Sequence, residues 1–104
     1  MFEIVWENQA SEEFLAILEF WNNHNGSNSY SRKLFTEIKE AEELLEKNPE
    51  AGSETSFKKV KRLIILDNFS LFYTVSKKEN YIYILSIWDN LYVVKINETP
   101  LSKN

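Results

Sequence analysis

Lys58-Lys59-Val60-Lys61-Arg62-Leu63-Ile64-Ile65-Leu66, Phe69-Ser70-Leu71-Phe72-Tyr73-Thr74-Val75-Ser76 and Tyr81-Ile82-Tyr83-Ile84-Leu85-Ser86-Ile87-Trp88 are three runs rich in β-branched and aromatic residues. Short polar breaks separate them, so they predict three strands joined as an antiparallel meander. Asp67 and Asn68 tolerate positive φ, which predicts a two-residue hairpin turn between the first two runs. Ser76 to Asn80 predicts a longer polar turn. The middle run places Phe69, Leu71, Tyr73 and Val75 on one face and Ser70, Phe72 and Thr74 on the other. Apolar groups on both faces predict a central strand.

Upstream of the meander the hydrophobic period changes to that of helices. Ala10, Phe14, Ile17, Leu18 and Trp21 form one stripe, with Asn8 or Ser11 as the expected N-cap. Asn25-Gly26 stops this helix, since both residues accept left-handed backbone. A second helix is expected from about Ser29 to Lys47, burying Leu34, Ile38, Ala41 and Leu45, with Phe35 beside them. Asn48-Pro49 ends it, because the residue before proline avoids helical geometry. The short connection implies an antiparallel helical hairpin. Phe2, Ile4 and Trp6 alternate with Glu3 and Val5, which suits a short strand with one buried face. The expected fold is therefore α+β, in the order β-α-α-β-β-β, with the N-terminal strand and helical hairpin packed on an antiparallel sheet. Leu91 to Ile96 reads as a further strand or as a stretch that waits for a partner. One domain over 1–96 and a polar tail over 97–104 are expected.

The 104 residues suit a single domain, and 43% hydrophobic with 14% aromatic content excludes a disordered chain. No cysteine is present, so disulfides and thiolate zinc sites are excluded. Met1 to Glu7 shows neither a basic n-region nor an apolar h-region, and no apolar run reaches the roughly 20 residues of a membrane span. A cytoplasmic protein without membrane contact is expected. The net charge of −4 is unevenly spread: residues 1–56 hold 12 acids and 4 bases, residues 57–104 hold 4 acids and 8 bases. A basic half can attract polyanions even in an acidic protein, although solvated Glu-rich helices alone also produce such a split.

Beyond the order of elements, four stretches resemble the RelE/ParE toxin superfamily, the toxins of bacterial type II toxin–antitoxin systems. Leu44-Leu45-Glu46-Lys47-Asn48-Pro49-Glu50-Ala51-Gly52 is similar to that family's L-x-x-N-P-x-x-G ending of the helical hairpin. Val60-Lys61-Arg62-Leu63 resembles its basic segment leading into the sheet. Phe69 to Val75 resembles its Y-x-(I/L)-x-Y-x-V strand. Ile82 to Asn90 resembles its I-x-I-L-x-(V/F/W)-W-D-N strand. With the order of elements, the resemblance covers roughly residues 2–90. The chain departs after Asn90, where many members carry bases before a proline and this sequence reads Leu91-Tyr92-Val93-Val94. Ser70 and Ile65 also stand where a nuclease of the superfamily carries arginine.

The resemblance implies a cognate antitoxin as partner, an oligomeric toxin–antitoxin complex, and no cofactor or metal. It leaves three functions open. A ParE-like toxin would act by binding a target such as DNA gyrase, the reading that the missing bases favour. A RelE-like toxin would be a metal-independent, ribosome-dependent mRNA endoribonuclease, whose bases neutralise the mRNA backbone and the charge that develops as a 2′-hydroxyl attacks phosphate. A degenerate, non-toxic module would only bind antitoxin. Lys58, Lys59, Lys61 and Arg62 are the candidate target- or RNA-binding residues, against the simpler role of lysines that protect a strand edge. Tyr92 is the candidate acid/base group. Tyr73 and Trp88 are expected in the core, and Asp89 at the following turn. His24, in an Asn-rich loop with no second histidine or cysteine, is expected to be solvated. Glu37, Glu40, Glu42, Glu43 and Glu46 are expected to form a solvated helix face.

Overall fold

The computed structural model describes residues 1–90. The candidate strand over 91–96, Tyr92 and the boundary expected at 96 lie outside the described residues. The elements are β1 (Glu3–Trp6), α1 (Asn8–Asn25), α2 (Ser29–Lys47), β2 (Ser53–Glu54), β3 (Lys61–Ile65), β4 (Phe69–Ser76) and β5 (Tyr81–Asp89). The sheet order is β1-β5-β4-β3-β2. This is the expected α+β fold, with β4 central and the meander β3-β4-β5 antiparallel. β1 pairs parallel to β5, Ile4 opposite Ile82 and Trp6 opposite Ile84, so the sheet is mixed. The helical hairpin between them is the crossover that a parallel pairing requires.

One sheet face carries the helices. Leu71, Tyr73, Ile82, Ile84 and Ile87 are buried there against Ala10 of α1 and Leu34, Ile38 and Leu45 of α2. The N-terminal strand is locked from both sides: Trp6 stacks on Phe14 at 5.5 Å between ring centroids, and its indole Nε1 donates to Glu42 Oε2 at 2.6 Å. Glu42 is therefore a partner of the core, not part of a solvated face.

Local chemistry departs from the expected pattern in four places. α1 begins after Glu7 with no side-chain cap bond, so neither Asn8 nor Ser11 caps it. β3 starts at Lys61, because a turn closed by Val60 N–H donating to the Phe57 carbonyl holds Lys58 and Lys59 off the strand, Lys59 at φ 67. The tight turn between β3 and β4 is centred one residue early. Positive φ falls on Leu66 and Asp67, and Asn68 N–H donates to the Ile65 carbonyl. Leu66 takes this unfavourable backbone because its side chain packs on the core. Finally, β2 is only two residues long, too short to leave a periodic signal.

A carboxylate of α1 holds the middle of β5. β4 and β5 shift register between Phe72 and Tyr73, leaving Leu85 as the extra residue of a bulge. β1 ends at this level, where Glu7 N–H donates to the Ile84 carbonyl. The next inner-edge donor, Ile87 N–H, has no strand to pair with and donates instead to Glu13 Oε1 at 3.0 Å. Ser86 Oγ donates to the same oxygen at 2.7 Å. Glu13→Ala strands both donors and is expected to destabilise the fold by about 1.5–3 kcal/mol, whereas Glu13→Gln, which keeps an acceptor oxygen, costs less. Urea denaturation of the three proteins checks this; equal losses would show that the bulge does not depend on the acceptor.

Candidate functional site

Strand alternation puts the remaining side chains on the sheet face that the helices do not cover. Arg62 lies opposite Phe72, Phe72 opposite Ser86, and Ser70 opposite both Ile64 and Trp88. Trp88, expected in the core, is thus not part of the helix-facing core. It packs edge-on against Phe72 at 4.8 Å between ring centroids, on the uncovered face. Its indole Nε1 is buried and has no hydrogen-bond partner among the described residues. Such a group costs about 1–3 kcal/mol relative to a paired one.

Phe57, Val60, Phe72, Leu85 and Trp88, with Gln9 and Ser86 at the side, line a pocket of about 180 Å³. The bulge at Leu85 and the turn at Phe57–Val60 form its opposite walls. Phe57 is 42% exposed and stands at the rim. Beyond Trp88 the strand end is tied down. Ser70 Oγ donates to Asn90 Oδ1 at 2.9 Å, and Asn90 N–H to the Asn68 carbonyl at 2.7 Å. The turn expected after Asp89 lies outside the described residues. Asp89 itself is buried on the helix side and accepts a hydrogen bond from Trp21 Nε1 at 3.0 Å.

The four candidate bases do not form one cluster. Lys61 shares the helix side of the sheet with Tyr73 and pairs with Glu50 at 3.1 Å. That contact raises its pKa above the ordinary lysine value. Lys58 and Lys59 are exposed on the turn, and Arg62 is exposed on the uncovered face beside Phe72. None of these three makes an ion pair among the described residues. The basic surface next to the pocket is therefore Lys58, Lys59 and Arg62.

The family model for the ParE toxin of type II toxin–antitoxin systems, parDE, matches residues 4–90. The chain belongs to the ParE toxin family. Its fold is also that of a solved chain described as the chromosomal ParDE toxin–antitoxin system from P. aeruginosa. The TM-score is 0.70 at 24% identity, over 84% of this chain and 94% of that one. No curated protein matches the sequence. The family's hairpin-ending motif has a structural reason in this member. Tyr73 Oη donates to the Pro49 carbonyl at 2.9 Å and accepts from Gly52 N–H at 2.8 Å. The Asn-Pro…Gly segment and the tyrosine strand are two halves of one contact.

The other candidates of this ParE-family chain can be followed only among the described residues, and Tyr92 is not one of them. Among the described residues no group of three or more His, Cys, Asp or Glu is placed to hold a metal ion. Nor is any helix there long and apolar enough to cross a membrane. His24 is exposed and stacks on Phe20 at 5.4 Å, a helix-end ring contact. Ile65 and Ser70 are both buried.

Proposed function

We propose that this chain is a ParE-type toxin that acts by binding a protein target, DNA gyrase, and not by cutting RNA. One observation carries the reading: among the described residues, the sheet face away from α1 and α2 presents an apolar pocket edged by three bases, where RNA cleavage would need convergent acid, base and phosphate-binding groups. The positions that would supply arginines are instead a core isoleucine and a serine bonded to Asn90. A cognate antitoxin neutralises the toxin in an oligomeric, cytoplasmic complex. Leu15, Phe35 and Leu44, exposed on the helical hairpin, suit coverage by an amphipathic segment of that partner.

The test is a DNA supercoiling assay with purified gyrase, run beside a ribosome-dependent mRNA cleavage assay. Inhibited supercoiling with no new mRNA 5′ ends is the expected result. Cleavage without inhibition would replace the reading by the RelE-like one. Neither activity, with antitoxin binding retained, would make the chain a degenerate module.

A further inference from the structure

Three properties of the uncovered face act together. The pocket, at about 180 Å³, is on the scale that holds a single benzene-sized group, for which about 150 Å³ suffices. Its walls are apolar side chains from the turn, β4 and the β5 bulge. Its flank is basic: Lys58 and Lys59 lie between the rim residues Phe57 and Val60, and Arg62 is the cross-strand neighbour of the floor residue Phe72. The rings do not form a stacking platform. Phe72 is buried and meets Trp88 edge-on at 61° between planes, so no broad flat face is offered to a nucleobase. This geometry favours insertion of one side chain over stacking of several bases.

We infer that this pocket is a peptide-docking site that takes one bulky apolar side chain, phenylalanine or leucine in size, from a protein segment flanked by acidic residues. The side chain fills the space between Phe57, Val60, Phe72, Leu85 and Trp88. The flanking carboxylates meet Lys58, Lys59 and Arg62, none of which is neutralised within the described chain. The inference rests on the reading of the chain as a toxin that acts through protein contacts, and it assigns the recognition chemistry of that contact.

The experiment uses the full chain, ¹⁵N-labelled, with end-capped synthetic dodecapeptides of Glu and Asp around one central Phe. Binding is followed by the three tryptophan indole resonances, with Trp88→Phe to assign that of Trp88. The Phe peptide is expected to shift the Trp88 resonance saturably. Replacing its Phe by Ala should weaken binding at least about tenfold, the loss of one buried aromatic anchor. Phe57→Ala, a rim change that leaves the melting temperature unaltered, should weaken it several-fold, and Arg62→Glu should do so at low salt only. Equal binding of the Phe and Ala peptides overturns the inference. So does tighter binding of a single-stranded RNA dodecamer at the same resonances, or self-association of the chain that buries this face and excludes the peptide. Supercoiling inhibition is measured separately. Peptide binding without inhibition removes the gyrase reading and keeps the pocket; inhibition without peptide binding does the reverse.

Discussion

Replacing Gly52 by alanine is expected to destabilise the fold by about 2–4 kcal/mol, a fall in Tm of roughly 10–25 °C. A Cβ at this position would lie 2.6 Å from Tyr73 Oη and 2.8 Å from the Arg62 carbonyl. Two obstacles belong to a fully buried ring, the hydroxyl and Cε1 of Tyr73, the latter at 2.8 Å, and the third is strand backbone, so none can yield without disturbing the core. Moving the ring also breaks the bonds that Tyr73 Oη makes to the Pro49 carbonyl and the Gly52 N–H. Tyr73→Phe removes both bonds without the clash and is expected to cost about 1–3 kcal/mol. The double variant separates the two effects. Without the hydroxyl the nearest obstacle to the new methyl is gone, while the ring Cε1 and the Arg62 carbonyl, both at 2.8 Å, remain. The combined loss should therefore fall short of the sum by about 1 kcal/mol. Additive losses in denaturant titrations would show that the hydroxyl is not what excludes a side chain at Gly52.

The same hydroxyl gives the fold a pH dependence. Burial pushes the Tyr73 phenol above its ordinary pKa of 10.0, with the Gly52 N–H pulling more weakly the other way. A group raised on folding contributes its full stability below pH 10 and loses it as pH rises through the folded value. Stability should thus decline in the alkaline range above pH 10, and more shallowly in Tyr73→Phe. Tyr83, raised mainly by its bond to Glu79, keeps a residual slope of the same sign in both proteins. Identical slopes would remove Tyr73 from the account.

These contacts show what the sequence could and could not disclose. β4 was legible to the residue, because eight consecutive residues, five buried and three half-buried, leave an unambiguous pattern. α2 was legible from its stripe and from Asn48-Pro49, as its end at Lys47 shows. The family-like motifs at Gly52 and Tyr73 were visible as separate strings, but the hydrogen bonds that join them span 21 and 24 residues and leave no local trace. Likewise nothing near Glu13 marks it as the acceptor for a bulge more than 70 residues away. The side of Trp88 depends on the bulge at Leu85, which inverts the alternation of β5 midway. Reading period 2 straight through the strand sends Trp88 to the same side as Ile82 and Ile84, and so into the core. The basic run was visible, but a strand start displaced to Lys61 divides it between two surfaces, which composition alone cannot do.

That division yields the second large effect. Reversing charge at the three bases of the uncovered side, as Lys58→Glu, Lys59→Glu and Arg62→Glu together, is expected to slow target association by about 10- to 100-fold at low ionic strength and to relieve growth arrest. All three are exposed and make no ion pair among the described residues, so the fold should keep its melting temperature. Lys61→Met is the contrasting change. It removes a base equally close in sequence, but one already paired with Glu50 beside Tyr73 on the opposite side of the sheet. Target association should stay within about twofold of the parent, with stability only slightly altered because Glu50 is exposed and methionine keeps the packing of the half-buried Lys61 stem. If function follows the count of bases, Lys61→Met will fall part-way to the triple variant, and the assignment of the uncovered face fails. If it follows geometry, toxicity in the host and association rates on the purified target will depend on Lys58, Lys59 and Arg62 and ignore Lys61. The salt dependence of association should then flatten in the triple variant alone, since only those charges would face the partner as it approaches.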